Sequence, residues 1–453
     1  MAMIHEAQLD RLGLFDAKVP RYTSYPTAPH FAGGVGADEF GRWIGEIPAG
    51  AEISLYVHIP FCRRLCWFCA CRTQGTRSAT PVRSYLDTLK REIAMLGERL
   101  PAGVRLSRLH WGGGTPTLLE PDMIRELAEA IFSVAPMAEG GEFSVEIDPN
   151  EIDAARIGAL ADAGMNRASI GVQDFDEEIQ KVIGRIQSYD ITKSAADMIR
   201  AAGVDSLNAD ILYGLPHQNN TRIAESVQKL LSLSPDRVAL YGYAHVPWMA
   251  RRQTMIPAEA LPSPQQRLAL FETARKLFVW DGYEEIGIDH FAVPSDGLAI
   301  ARREGRLRRN FQGYTDDTAT ALIGLGASAI SRFPQGYAQN APATSQYAKA
   351  IQAGEFATTR GHVFSPEDHL RGRMIEALMC DFRIDRSEIL ERFDIAPDAL
   401  EAMFRAAAET FEGLPEITER GFELPPEVRP LTRMIARAFD AYDLSKAGHS
   451  AAI

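Results

Sequence analysis

The chain has 453 residues, 46% of them hydrophobic, and a formal net charge of −12. That length and apolar content allow roughly two to three domains with well-buried cores. The acidic balance argues against general binding to nucleic acid or to anionic membrane surfaces.

The N-terminus, Met-Ala-Met-Ile-His-Glu-Ala, is amphipathic and acidic rather than basic and then apolar, and no apolar run is long enough to cross a bilayer. Both features, with few cysteines, point to the cytoplasm. Residues 21–31 are rich in proline and aromatics, so they fit neither a regular helix nor a strand. They read as part of an N-terminal arm over residues 1–45, either a plain linker or a segment laid over a pocket. From residue 46 to 360, apolar runs at Ile53–His58, Leu106–Trp111, Phe143–Ile147, Arg167–Val172, Ser206–Leu212 and Val238–Tyr243 predict strands. Between them Val82–Leu96, Pro121–Phe132, Ala154–Ala163 and Ile223–Leu231 carry helical periodicity. Repeated strand–helix units predict an α/β fold, a parallel sheet with right-handed crossovers. So many consecutive units favour a full or partial barrel over an open sheet.

From about Ser365 the pattern changes. Helices are expected at Glu367–Leu378, Arg386–Phe393 and Asp398–Glu409, short extended pieces near Pro415–Ile417 and Gly421–Leu424, and a last helix near Val428–Tyr442. Residues 361–453 therefore read as a small, mostly helical domain with a hairpin, winged-helix in outline. Its acidic setting argues against DNA.

Four of the five cysteines follow the first strand: Cys62, Cys66, Cys69 and Cys71. Structural zinc usually takes two separated pairs of cysteines, and no second pair exists. Disulfides between thiols so close in sequence are poorly placed. Iron–sulfur clusters are held by thiolates. Three cysteines on one loop leave one iron of a cubane open to bind a substrate or cofactor. A zinc loop or a redox-sensing thiol group remains the alternative. Cys380, in an apolar helical stretch, reads as packing.

Other unusual residues fall at the carboxyl ends of the predicted strands, where parallel α/β folds bind ligands. Gly112-Gly113-Gly114-Thr115 follows the second strand, Glu146 and Asp148 end the third, and Gln173 follows the fourth. Asp210 ends the fifth, and Ala244 and His245 follow the sixth. The glycine run lacks the order of dinucleotide folds, and a tight turn explains it equally well.

The cysteine spacing after a strand resembles the radical S-adenosylmethionine superfamily. Over nearly the whole chain the segments Tyr56–Cys71, His110–Pro116, Gly171–Phe175, Asp210–Pro216, Tyr243–Pro247, Asp289–Ala292, Arg309–Tyr314 and Tyr337–Asn340 resemble the oxygen-independent coproporphyrinogen III oxidase family. That resemblance implies a partial (β/α) barrel holding one 4Fe-4S cluster and two molecules of S-adenosylmethionine. It implies Cys62, Cys66 and Cys69 as cluster ligands, Cys71 as a catalytic residue, and Tyr56, Phe68, Gly113, Gly114, Thr115, Glu146, Gln173, Arg185, Asp210, Ala244 and Ile330 as contacts of the two cofactor molecules. It further implies a deoxyadenosyl radical that drives decarboxylation of two propionates of coproporphyrinogen III to vinyl groups, a low-potential electron donor of unidentified nature, and a monomer.

A polyanionic substrate on an acidic protein needs local cations. Arg302, Arg303, Arg306, Arg308 and Arg309 form the densest basic run, and Arg21 is another candidate, although a solvated helix face explains most of such a run equally well. His245 and His290 could be core histidines or substrate contacts. The chain departs from many relatives at Ala70, Ile186 and residues 315–320. The rival readings are a haem-delivery chaperone of the same superfamily, against which Cys71 and the arm argue, a radical enzyme for another tetrapyrrole, and a zinc-stabilised binding module.

Overall fold

A computed structural model describes residues 6–443 and 450–453. The first five residues of the arm and residues 444–449 of the C-terminal region lie outside the described residues. The central sheet has twelve strands. In chain order they are β1 (Glu52–Ile59), β2 (Arg105–Gly113), β3 (Met137–Ile147), β4 (Arg167–Gln173), β5 (Ser206–Tyr213), β6 (Arg237–Gly242), β7 (Glu284–Ile286), β8 (His290–Ala292), β9 (Leu322–Leu325), β10 (Ile330–Phe333), β11 (Gly336–Asn340) and β12 (Thr358–Val363). Strands β1 to β6 are parallel neighbours in sequence order, and β9 adds to the free side of β1, also parallel. Antiparallel strands finish both edges: β8 and β7 beyond β6, and β10, β11 and β12 beyond β9. The six expected strands and the helices between them are all present. The edge strands are too short or too interrupted by glycine to stand out in the sequence.

The strands alternate. Ile53, Leu55, Val57 and Ile59 of β1 are buried beneath helices, and so are Phe143, Val145 and Ile147 of β3 and Ala168, Ile170 and Val172 of β4. The intervening positions are polar: Ser54, Tyr56 and His58; Glu142, Ser144 and Glu146; Arg167, Ser169 and Gln173. Successive side chains point to opposite faces, so this pattern gives an apolar convex face and a polar concave one. Ion pairs join Arg108 of β2, Glu142 of β3 and Arg167 of β4, and a further pair ties Arg237 of β6 to Asp296, which lies 3.8 Å from Arg167. These pairs run across the concave face from β2 to β6. The edges β12 and β7 do not pair with each other among the described residues, so the barrel is partial.

The C-terminal region has its own core, built around Met374, Leu378, Phe404, Phe422 and Phe439. Cys380 is buried at the end of the helix Pro366–Asp381, as expected. Two details differ from expectation. The extended pieces Glu416–Ile417 and Gly421–Glu423 gain a third strand, Arg383–Asp385. The last helix is broken, with a 3-10 turn over Pro426–Leu431 and then only Thr432–Arg437 in α form; Pro430 sits inside it, without an amide N–H to continue the ladder.

The N-terminal arm joins the two cores. Leu9, Leu14, Tyr22 and Tyr25 pack into the C-terminal core. The Tyr22 hydroxyl donates to Asp440 at 2.9 Å, and the Tyr25 hydroxyl accepts the Ala441 N–H at 3.0 Å. On the other side Arg21 donates to the carbonyl of Gly242, at the carboxyl end of β6, at 2.6 Å. The arm is laid over the strand ends and is not a plain linker.

Candidate active site at the carboxyl ends of the strands

The cysteine loop leaves β1 and lies across the carboxyl ends of the strands. Cys62, Cys66 and Cys69 are partly buried, and Cys71 is exposed. The loop is held from several sides. The Trp67 N–H donates to the Ile183 carbonyl at 2.9 Å. Buried Gln253 donates through Nε2 to the carbonyls of Phe68 (2.6 Å) and Ala244 (3.0 Å) and accepts the Val246 N–H at 2.6 Å. Arg252 next to it donates to the carbonyls of Cys71 and Thr73 at 3.2 and 3.3 Å. Arg185 Nη1 stands 3.6 Å from Cys66 Sγ, and the Cys71 N–H 3.4 Å from Cys69 Sγ. A bond from the Cys71 thiol, with its N–H adding to it, is the main reason the Cys69 thiol titrates low, at about 6, while burial pushes Cys62 up to about 11.

The donor set fits an iron–sulfur cluster. Three soft thiols converge on one loop with N–H donors aimed at two of the sulfurs, the kind of hydrogen bonding that tunes such clusters. A cubane binds each thiolate through a different iron.

The glycine run is a matter of close approach. A Cβ on Gly112 would lie 2.7 Å from Glu146 Oε1, one on Gly113 2.5 Å from the His58 ring, and one on Gly114 within 2.4 Å of the Phe61 carbonyl oxygen. Gly113 also has φ +107, a conformation open to glycine. The amides here are already used: Gly113 donates to Glu146 Oε2 (2.9 Å), Gly114 to the Ile59 carbonyl (2.8 Å) and Thr115 to the Phe61 carbonyl (2.7 Å). The Thr115 carbonyl in turn accepts the Leu118 N–H at 2.9 Å.

Tyr56, His110 and Glu146 form one group. The Tyr56 and His110 rings stack with centroids 5.7 Å apart, and His110 Nε2 lies 3.3 Å from Glu146 Oε1. Burial raises the Glu146 pKa, but the bonds from His110 and Gly113 outweigh it, so the group titrates below the usual carboxyl range. Asp210 is the opposite case. Burial dominates, the neighbouring Glu146 charge adds to it, and the single bond from Asn208 at 2.9 Å does not compensate; the pKa is pushed up to about 7. Burial lowers the pKa of His58, whose Nδ1 is 2.9 Å from the Tyr56 hydroxyl.

Arg185 is buried and its fork is engaged by Asp148, at 3.2 and 3.3 Å, with a further bond to the Gly171 carbonyl at 2.9 Å. Gln173 ends β4 in a left-handed conformation, φ +68. Phe68 packs with Trp67 on a small cluster that includes Ile183, Tyr243 and Ile256. Ile330 starts β10 beyond β9, whereas Ala244 follows β6, so these two flank the concave face from opposite ends. The residues without a role in the sequence reading are His58, His110, Arg252 and Gln253. The first two were signalled by strand alternation; the loop clasp of Arg252 and Gln253 had no local signal. The departure at residues 315–320 lies elsewhere: Asp316 pairs with Arg108 at 2.6 Å and Asp317 accepts from Ser54, near the amino end of β1. Ile186 is exposed on the surface beside Arg185.

A curled parallel sheet with a three-cysteine loop after its first strand defines a radical S-adenosylmethionine enzyme, and residues 56–230 match the Radical SAM superfamily. The chain is 66% identical over 451 residues to the oxygen-independent coproporphyrinogen III oxidase of Paracoccus denitrificans, covering 100% of both proteins. It is 39% identical to that of Escherichia coli, covering 94% of each. The solved structure of coproporphyrinogen III oxidase from Escherichia coli, described as a radical SAM enzyme, matches with a TM-score of 0.90 at 37% identity, over 98% of this chain and 100% of that one. The chain belongs to the oxygen-independent coproporphyrinogen III oxidase family and is an oxidoreductase.

Proposed function

We propose that this protein converts two propionate side chains of coproporphyrinogen III to vinyl groups without oxygen, giving protoporphyrinogen IX. The observation that carries the reading is the cysteine loop seated over the carboxyl ends of β1 to β6, in a chain aligned end to end with named oxidases. The same relatives favour this activity over haem delivery. A 4Fe-4S cluster with S-adenosylmethionine, when bound, supplies one-electron chemistry that removes hydrogen from the propionate β-carbon, after which carbon dioxide and one electron leave.

The chain's own residues bind, orient and exclude water. Cys62, Cys66 and Cys69 hold the cluster. Glu146 and the carbonyls of Gly113, Gly114 and Thr115 accept from a ligand ammonium, and Asp210 from ribose hydroxyls. Tyr56, Phe68, Ala244 and Ile330 pack against the two cofactor molecules. Gln173 adds an amide. Arg185 screens Cys66 and orients Asp148. Cys71 serves turnover and not cluster retention. Holding the propionate carbon beside the reacting centre is the protein's main contribution. In this reading residues 46–360 are the catalytic unit and 1–45 and 361–453 its cover. The protein works as a cytoplasmic monomer fed by a low-potential electron donor and touches neither nucleic acid nor membrane; its net charge of −12 supports this, and among the described residues no helix is long and apolar enough to cross a bilayer.

The test is an anaerobic incubation of reconstituted protein with coproporphyrinogen III, S-adenosylmethionine and a chemical reductant, followed by chromatography of the porphyrins. Products lacking two carboxyl groups are expected only with S-adenosylmethionine present. Cleavage of S-adenosylmethionine with no decarboxylation would sink the proposal.

A further inference from the structure

The basic run near residue 305 divides sharply once folded. Arg303 pairs with Glu284 at 2.5 Å, Arg302 approaches the same carboxylate at 3.9 Å, Arg306 meets Glu304, and Arg308 lies 4.0 Å from Glu376. These are half-buried or exposed surface pairs of little consequence. Arg309 behaves differently. It sits in a short strand, Arg308–Asn310, where neighbours point to opposite faces, and it turns inward. Its side chain is only 4% exposed. Its Nε and Nη1 have no hydrogen-bond partner among the described residues. The Tyr314 ring lies 4.5 Å from the guanidinium carbon. Its counter-charge, Asp289, is 3.7 Å away and already bonded to His290 Nδ1 at 2.7 Å.

Arg309 lines a cleft of about 720 Å³ between the β6–β8 edge, the helix Pro264–Trp280 and the C-terminal domain, and the cleft reaches Ala244 and His245 at the strand ends. Five more arginines line it. Arg433 donates to the carbonyls of Val19, Pro20, Ala451 and Ala452, and Arg267 to those of Gly214, Tyr243 and Ile453. Those two are spent on building the wall. Arg21 makes one side-chain bond, to Gly242, and retains donors on its other nitrogens. At the far end of the cleft Arg275 and Arg429 are matched by Glu272 and Glu285. Near Ala244 the cations are in excess. Burial, and then the charges of Arg21 and Arg309, push Arg433 down to about 9. Burial raises Asp289, but Arg309, His290 and Arg21 hold it at about 2.

We propose that Arg309 and Arg21 grip propionate carboxylates of the tetrapyrrole in this cleft, while another propionate reaches the cluster side of the strand ends. The inference rests on the substrate reading above. A buried guanidinium without a full partner is costly. A carboxylate is the group that a guanidinium with spare N–H donors takes. The acidic chain places this cationic surplus inside a cleft rather than on its surface, which suits a ligand carrying several carboxylates.

The experiment uses reconstituted holoenzyme and two probes, coproporphyrin III with four free carboxylates and its tetramethyl ester, titrated by fluorescence. Arg309→Lys and Arg21→Ala should each weaken binding of the tetra-acid about tenfold or more, raise KM for coproporphyrinogen III more than they lower kcat, and leave iron content and ester binding unchanged. Arg303→Ala should bind the acid as the unaltered protein does. If both variants bind the tetra-acid normally while the unaltered protein still decarboxylates coproporphyrinogen III, the cleft assignment is overturned and the activity stands. If the unaltered protein decarboxylates nothing, the substrate reading falls; the acid-over-ester preference and its loss in the variants then support or overturn the cleft as a carboxylate site. Should Arg309→Lys fail to fold, Arg21→Ala decides alone.

Discussion

The two ends of the same strands are built on opposite principles. At the amino end Arg108 bridges Glu142 (2.9 Å) and Asp316 (2.6 Å), Arg167 reaches Glu142 at 2.7 Å, and Arg237 meets Asp296 at 2.6 Å. Burial works against the Glu142 charge, but Arg167, Arg108 and Arg237 together hold its pKa at about 2. At the carboxyl end, a few residues further along, Asp210 is pushed up to about 7, and the Cys62 and Cys66 thiols are raised by burial. The amino end is held by ion pairs, although Arg167 Nε and Nη1 make no hydrogen bond among the described residues, and at the carboxyl end Asp210 is left short of partners while Glu146 and Arg185 are not. The division matches barrels in general, where the amino face serves stability and the carboxyl face serves chemistry.

The sharpest way to break that comparison is at the loop. Cys66→Ser should lose the cluster and all turnover, whereas Cys71→Ser should keep iron and lose turnover. Iron analysis and electron paramagnetic resonance of the two anaerobically purified variants decide it. Equal iron loss in both would make Cys71 a structural member of the loop, and the line between cluster ligand and turnover residue would disappear.

Next in size is a matched pair on one strand. Glu142→Gln strands Arg167 and part of Arg108 without their carboxylate, so it should cost about 3–5 kcal/mol in urea unfolding. Glu146→Gln, four residues along the same face, should lower the urea midpoint less than Glu142→Gln does and weaken S-adenosylmethionine binding. The Glu142 contribution also has a pH window. Its folded pKa of about 2 lies below the unfolded carboxyl value, so its stabilisation is present above pH ~4.3, on the order of 3 kcal/mol, and is lost as pH falls towards 2. An unchanged acid limb in Glu142→Gln would show that the lattice is not what holds the amino end.

Much of this was legible from the chain alone, for reasons that differ by residue. The cysteine loop could be read because its ligands are contiguous. Glu146, Gln173 and Asp210 could be read because strand ends are where parallel sheets expose side chains. The lattice of Arg108, Glu142, Arg167 and Arg237 does not show in the sequence: Arg108 and Arg167 sit inside apolar runs, and Glu142 and Arg237 lie just before the runs that mark their strands. Arg309 was hidden among neighbours of the same type, and only the fold separates it from Arg308. Gln253 carries no local mark, because its three bonds go to backbone groups, and the one that clasps the cysteine loop reaches Phe68, 185 residues away. The last helix was overextended because its periodicity continues through Pro430 while its hydrogen bonds do not.

The smallest expected effect is also the most direct test of partner shortage at the carboxyl end. Asp210 has a folded pKa of about 7, above the unfolded value of about 3.9. For a carboxyl shifted upward, ionisation favours the unfolded chain, so the fold is not penalised below pH ~4 and loses stability as pH rises towards 7. Asp210→Asn keeps an acceptor for Asn208 and removes the charge. The variant should therefore match the unaltered protein near pH 4 and exceed it at pH 8, by on the order of 2 kcal/mol once burial relaxes around the charge. It should also bind S-adenosylmethionine less well, because the oxygen that strains the fold is the one offered to the ligand. Such a stability gain with lost affinity is the trade expected of a functional residue. A pH-independent stability difference would instead show that Asp210 is fully compensated, and that the two ends of the barrel differ less than their charges imply.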